Sequence, residues 1–217
     1  MRMKTTLVAF FFLAFSSALS TALGRSIAAF DADLALDDGN NPVIDGGSYI
    51  LIQSSGHSGG GVELAALDGE TCPISVVQGY TFLGIPVTVN ISSSTQNGNY
   101  VYQTTPVDIH FQTVYPCASS SKWIVKNSTS VPSVFVGEED DSTVPGHFLF
   151  QNIGKTYEFE DYKLVFCPDV TPASCWDVGF SSSEGERLGK NPGNLFTFVI
   201  AKIGGMNYKS IIELQRE

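Results

Sequence analysis

Apolar and polar residues alternate along this chain in short runs, and no stretch repeats convincingly at the spacing of an amphipathic helix. The run Val107-Asp108-Ile109-His110-Phe111 is the clearest case. Side chains of a strand point alternately to its two faces, so Val107, Ile109 and Phe111 share one face and His110 points to the other, toward solvent. Similar runs recur at 48–53, 61–67, 74–78, 87–91, 99–104, 123–125, 147–151, 162–166, 196–202 and 209–214. They are rich in Val, Ile, Tyr, Phe and Thr, which suit a pleated, half-buried surface. Gly46-Gly47, Gly59-Gly60-Gly61 and Gly204-Gly205, with many Asn, Asp, Ser and Pro, punctuate them as turns. Many short strands with turns between them predict an all-β barrel or sandwich.

Two segments break the pattern by being wholly polar. Residues 92–99 read SSSTQNGN and residues 137–142 read GEEDDS, so both are expected to be exposed loops. The carboxylates at Glu138, Glu139, Asp140 and Asp141 lack the alternating ligand spacing of a calcium loop, and no metal is expected there. The start of the chain differs again. Arg2 and Lys4 precede an apolar stretch over 6–18, and small residues follow in Ser20-Thr21-Ala22-Leu23-Gly24. That order predicts a secretory signal peptide over 1–24, cleaved after Ala22 or Gly24, and a single domain over 25–217. The apolar stretch is short for a bilayer crossing and no later segment is longer, so no membrane partner is expected. The expected destination is the cell exterior, with the vacuole as an alternative.

The chain of 217 residues has 12 basic and 22 acidic side chains, and loss of Arg2 and Lys4 makes the balance more negative still. Such a body repels phosphate backbones, which argues against nucleic acid as a partner. The four cysteines, Cys72, Cys117, Cys167 and Cys175, read as two disulfides behind a signal peptide, with three connectivities available. Cys167 and Cys175 are near in sequence with Pro168 and Pro172 between them, which favours a local staple, and the preferred set is Cys167–Cys175 with Cys72–Cys117. Zinc is disfavoured because there is no C-x-x-C pair and no His beside a Cys. The sequons Asn90-Ile91-Ser92 and Asn127-Ser128-Thr129 agree with secretion and make Asn90 and Asn127 candidate glycosylation sites.

No convergent set of catalytic residues emerges. The three histidines are His57, His110 and His147, and no G-x-S-x-G turn presents a serine to any of them. Ser119 and Lys122 match an S-x-x-K string but lack its companion motifs, and pairing of all four cysteines removes a thiol nucleophile. Gly59–Gly61 opens no helix, so it cradles no phosphate. The chain is therefore expected to bind rather than to catalyse, without a cofactor.

Particular strings then resemble one family. Leu36-Asp37-Asp38-Gly39-Asn40-Asn41-Pro42-Val43, followed by Gly46-Gly47-Ser48-Tyr49-Ile50-Leu51, is similar to the N-terminal signature of the plant Kunitz-type (soybean-type) protease inhibitors. So are Gly59-Gly60-Gly61-Val62, Thr71-Cys72-Pro73-Ile74-Ser75-Val76-Val77-Gln78, Ser121-Lys122-Trp123, Tyr162-Lys163-Leu164-Val165-Phe166-Cys167-Pro168 and Cys175-Trp176-Asp177-Val178-Gly179, in the family's order. The resemblance implies a β-trefoil of twelve strands with pseudo-threefold symmetry and the disulfides Cys72–Cys117 and Cys167–Cys175. It also implies a protease partner, engaged by one preorganised outward loop with the barrel and the disulfide behind it as a jig, and a monomer. A non-inhibitory storage or defence-related trefoil is the alternative.

The family's inhibitory loop lies between Cys72 and Cys117, which here implies Thr95, Gln96, Asn97, Gly98 and Asn99, within 92–100. Counting forward from Cys72 puts the primary specificity residue at Gln96, and counting back from Phe111 puts it at Asn97. Three departures bear on activity. No Lys or Arg occurs between Cys72 and Cys117, so the ion pair that a trypsin inhibitor makes in its target's pocket is missing. Asp45 stands where the family braces its loop with Asn, and an ionised carboxylate accepts hydrogen bonds but donates none. Asn97-Gly98 is a flexible turn former, and the signature start carries an extra residue around Asn40-Asn41.

Overall fold

The computed structural model describes residues 33–54, 60–67, 69–79, 83–92, 98–103, 105–127, 130–169, 174–181, 187–191 and 193–204. The segment read as a signal peptide, the run at 209–214, His57 and the loop residues Thr95, Gln96 and Asn97 lie outside the described residues.

The described residues form twelve strands and no α-helix. They are β1 (Gly47–Gln53), β2 (Val62–Ala65), β3 (Ser75–Gln78), β4 (Val87–Ile91), β5 (Val107–Phe111), β6 (Trp123–Lys126), β7 (Ser133–Val136), β8 (Gly146–Thr156), β9 (Phe159–Pro168), β10 (Trp176–Ser181), β11 (Arg187–Lys190) and β12 (Thr197–Lys202). Each block of four strands is one repeat. The outer strands of the repeats pair in the ring β1–β4–β5–β8–β9–β12 and back to β1, so six strands close on themselves. Closure removes the unpaired edges that would otherwise recruit another chain. The inner strands form the hairpins β2–β3, β6–β7 and β10–β11. Their second strands meet pairwise, β3 with β7, β7 with β11 and β11 with β3. A six-stranded barrel lidded by a triangle of three hairpins is the β-trefoil that the sequence predicts.

The period-two pattern places the core. Along β5 the residues alternate buried and half-buried, with Val107, Ile109 and Phe111 inside and His110 outside. Two aromatic clusters fill the interior. Phe111, Trp123, Phe148, Phe166 and Trp176 form a chain with centroids 5.2–6.1 Å apart, mostly tilted or edge-on. Phe150, Tyr162, Phe180, Phe196 and Phe198 form a second, with centroids 5.0–6.2 Å apart. Each such pair adds about 1 kcal/mol beyond the area it buries.

The lid buries one charge. Arg187 of β11 is fully enclosed, with its guanidinium 5.0 Å from the Phe135 ring of β7. Its Nε donates to Ser75 Oγ of β3 at 3.0 Å, and its Nη2 pairs with Glu70 Oε1 at 3.0 Å. Ser75 Oγ in turn donates to the Glu70 carboxylate at 2.8 Å. One side chain from each hairpin thus converges where the three strands meet.

The disulfides are Cys72–Cys117 and Cys167–Cys175. The predicted runs at 87–91 and 107–111 are strands with those bounds. The run at 99–104 is not a ladder strand: Tyr100 and Tyr102 make single bridges to Ile44 and Leu34 instead. Strands β7, β10 and β11 extend the predicted set.

Candidate functional site

The connection from β4 to β5 spans residues 92–106 and contains the predicted loop. Its root is the last rung of a regular ladder, where Ile91 pairs with Val107 and Ser92 N–H donates to the Pro106 carbonyl at 2.9 Å. Beyond that rung the chain leaves the barrel, and its backbone groups need new partners. The segment 33–46, just before β1, supplies them. Ala35 N–H donates to Val101 O at 2.9 Å, Val101 N–H to Val43 O at 2.8 Å and Gln103 N–H to Asp33 O at 3.0 Å. Ala35, Val43 and Val101 are fully buried, so this layer is apolar beneath and hydrogen-bonded above.

Two barrel tyrosines pin the supporting segment. Tyr49 OH accepts from Ile44 N–H and Tyr162 OH accepts from Leu36 N–H, both at 2.8 Å. Burial pushes both phenols above their ordinary value, so they stay neutral in this role. Between these anchors the chain turns at Asp37. One of its carboxylate oxygens accepts from Gly39 N–H and Asn41 N–H at 2.9 Å, and Asn40 takes a left-handed φ of 57°. Asn is among the few side chains that tolerate that region.

Asp45 touches both stems of the loop. Its Oδ1 accepts from Ile91 N–H at 2.7 Å on the incoming stem, and its own N–H donates to the Asn99 carbonyl at 2.8 Å on the outgoing stem. Asp45 thus acts as acceptor through its carboxylate on one side and as donor through its main chain on the other. Of the five residues expected to form the loop, Gly98 and Asn99 are described; both are exposed, as is the neighbouring Tyr100.

The disulfide is not immediately behind the loop. Cys117 follows β5 at the end away from Val107, where the chain turns toward β6. Cys72–Cys117 closes a covalent ring that contains the loop, while the direct clamp is the segment 33–46. Sequence reasoning missed Tyr49 and Tyr162 as anchors; both lie in strand runs where an aromatic reads as core, and neither run signals where its hydroxyl goes. The candidate glycan acceptors are both on outward positions: Asn90 is half-buried on β4, one residue before Ile91, and Asn127 is exposed just after β6.

A groove of about 470 Å³ runs beside the loop root, from Ser92 and Pro106 to His147 and Asp169. Its polar groups are paired with each other: Lys122 lies 2.9 Å from Glu139 and 3.5 Å from Asp108, and His147 Nδ1 lies 3.3 Å from Asp169 Oδ1. Lys122 therefore serves an ion pair rather than the S-x-x-K chemistry considered above. On the acidic tip, hydrogen bonds from Lys126 and Ser142 hold the Asp140 carboxyl well below the usual carboxylate range.

Comparison with known proteins places this geometry. A family model described as "Trypsin and protease inhibitor", for the legume Kunitz proteins, matches residues 35–202. The chain is 32% identical over 165 residues to a subtilisin inhibitor of Canavalia lineata, covering 72% of this chain and 85% of that protein. It is 31% identical to a Kunitz-type trypsin inhibitor-like protein of Pisum sativum, covering 83% of this chain and 84% of the relative. Soybean trypsin inhibitor, solved in complex with porcine pancreatic trypsin, superposes with a TM-score of 0.66 at 26% identity, over 79% of this chain and 99% of the inhibitor.

Proposed function

The chain belongs to the legume Kunitz family of trypsin and protease inhibitors, and from that premise we propose that it inhibits a serine endopeptidase by holding the 92–99 segment in the protease cleft. The family is one of inhibitors, not enzymes. The observation that carries the reading is the double attachment of Asp45, which ties Ile91 on one stem to Asn99 on the other. Stems fixed before binding remove part of the ordering cost that a free peptide would pay on entering the cleft. A cut loop would also be held in place for religation, so the protease gains little by cleaving it.

The target is not trypsin. Trypsin's pocket is built to bury a cation against a carboxylate, and no Lys or Arg lies between Cys72 and Cys117. Gln96 or Asn97 at the tip suits a protease whose specificity pocket does not demand a cation, and the 32% identity to a subtilisin inhibitor makes a subtilisin-type enzyme the first candidate. Residues 1–24 direct the chain to the secretory route, where Asn90 and Asn127 carry glycans, and it acts as a monomer. The test is titration of active-site-calibrated subtilisin and trypsin with the purified chain. Stoichiometric inhibition of subtilisin with weak inhibition of trypsin is expected. Tight, stoichiometric inhibition of trypsin mapped to 92–99 would overturn the assignment of specificity.

A further inference from the structure

The second outer hairpin of the barrel, β8–β9, has features that barrel closure does not require. β8 runs antiparallel to β5, with Phe148 opposite Val107, the first residue after the loop. From Leu149 onward β8 therefore extends past the start of β5 on the side where the loop leaves. It passes beside the loop's outgoing flank, where Asn152 N–H donates to Gln103 Oε1 at 3.1 Å. It then continues to Thr156, which pairs with Phe159 across the two-residue turn Tyr157-Glu158. At about 3.3 Å per residue the turn stands about 13 Å beyond Asn152.

Two local departures from regular geometry present apolar side chains there. A bulge between Asn152 and Gly154 leaves Ile153 out of the ladder, and Ile153 is 46% exposed. Bulges commonly re-aim a side chain beside a functional site. The turn places Tyr157 at φ 57° with 57% of its surface exposed. Gly or Asn sits in that conformation at little cost, whereas a bulky residue is strained, and strain of this kind concentrates at binding and catalytic sites. The hairpin end is also stiffened. Asn152 Nδ2 donates to Glu160 at 2.7 Å, Lys155 pairs with Glu160 at 2.7 Å, and Thr156 Oγ1 hydrogen-bonds to Asp161. Among the described residues, the large apolar side chains that remain exposed are Ile44, Tyr100, Tyr115, Ile153, Tyr157 and Ile203. All but Tyr115 lie at the barrel end that bears the loop.

We propose that the end of the β8–β9 hairpin, through Ile153 and Tyr157, is a second contact arm for the same serine protease that the 92–106 loop engages. This rests on the inhibitory reading above. The arm is continuous with the loop through the Asn152–Gln103 bond, and it is stiff enough to bind without a large ordering cost. An exposed aromatic near the stem of a binding loop is the kind of anchor that dominates protein interfaces, and its loss acts mainly on dissociation.

The test is the double variant Ile153→Ser/Tyr157→Asn, assayed for inhibition of subtilisin and for dissociation from it. Asn relieves the backbone strain at 157, so the melting temperature is expected to be unchanged or higher. A dissociation rate at least tenfold faster, with the loop still cut no faster in the free variant, is the expected result. A complex as tight and long-lived as that of the parent chain overturns the arm while leaving the inhibitory loop intact. Absence of any complex between the parent chain and subtilisin overturns the subtilisin-type target and, with it, the arm.

Discussion

The two ends of the barrel solve opposite problems. At the lidded end, β3, β7 and β11 meet in a triangle, and Arg187 is buried against Ser75, Glu70 and Phe135. At the other end, the stems of the β4–β5 connection are met by main-chain bonds from residues 33–46, which tyrosine hydroxyls anchor in turn. The lidded end spends its polar groups on itself; the open end keeps Ile44, Tyr100, Ile153 and Tyr157 exposed. The contrast teaches that threefold repetition fixes the stability of the fold at one end and leaves the other free to diverge. The outer hairpins show this directly: β8–β9 closes in two residues, whereas β4–β5 spends residues 92–106 on the same turn.

The comparison breaks most sharply at Arg187. Arg187→Ala leaves Glu70 and Ser75 in the lid without their cation, and truncating one partner of a buried pair typically costs about 3–5 kcal/mol. Urea unfolding is expected to show a loss of that order, while inhibition per folded molecule stays as it was, because the lid is remote from the loop. Arg187→Met combined with Glu70→Leu should recover much of the loss by removing both charges at once. A single variant as stable as the parent chain would mean that the lid does not depend on this pair.

The next effect is confined to the loop. Gln96→Arg with Asp45→Asn is expected to raise affinity for trypsin about a hundredfold, the scale of a basic hot-spot residue entering its pocket. Asn at 45 keeps an oxygen for Ile91 N–H and adds an amide donor for a loop carbonyl, so the brace gains where the carboxylate lacks. Inhibition constants for trypsin measure the gain, and no gain places the specificity residue elsewhere. A smaller effect comes from the anchors. Tyr49→Phe removes the acceptor of Ile44 N–H and should cost about 1 kcal/mol in global stability. It should also make the loop more easily cut by a non-target protease, measured as the rate of nicking between Cys72 and Cys117. If nicking is unchanged, residues 33–46 are not the clamp.

The fold was largely legible because the chain obeys one rule over most of its length. Residues 87–91 and 107–111 alternate so regularly that their strands coincide with the expected bounds. The elements read less well are those whose burial is not alternating. β7, Ser133–Val136, is buried at every position, and β11, Arg187–Lys190, contains a buried Arg, a residue type that is mostly exposed. At the site, the resemblance implies a loop between β4 and β5 and a brace at Asp45, and the structure shows Asp45 bonded to Ile91 and Asn99 on either side of that connection. The actual clamp was not legible, because hydrogen bonds from 33–46 to 99–103 are main-chain to main-chain and leave no mark on side-chain identity. The run at 99–104 reads as a strand from its Tyr, Val and Thr residues; Tyr100 and Tyr102 do pair, but singly and with a distant segment.

The smallest expected effect lies between the two ends, on the barrel wall. His110 faces outward from β5 opposite Thr88, with Asp108 and Lys122 nearby. Burial, the largest influence, and the Lys122 charge lower its affinity for a proton, and Asp108 opposes them only in part. The native chain therefore takes up this proton at lower pH than the unfolded chain, whose value is near 6.5. Where the unfolded state binds more protons, stability falls as pH falls. The contribution of His110 is thus fully retained above about 6.5 and is lost as pH drops from there through the lowered native value. His110→Gln, which keeps a polar side chain without the titration, should flatten the pH dependence of the urea midpoint below neutrality and leave it unchanged at pH 8. Because β5 begins at the loop root, the parent chain reads out coupling along the strand: inhibition that stays constant across this range while its stability falls would show that the open end keeps its geometry when the wall beneath it is weakened.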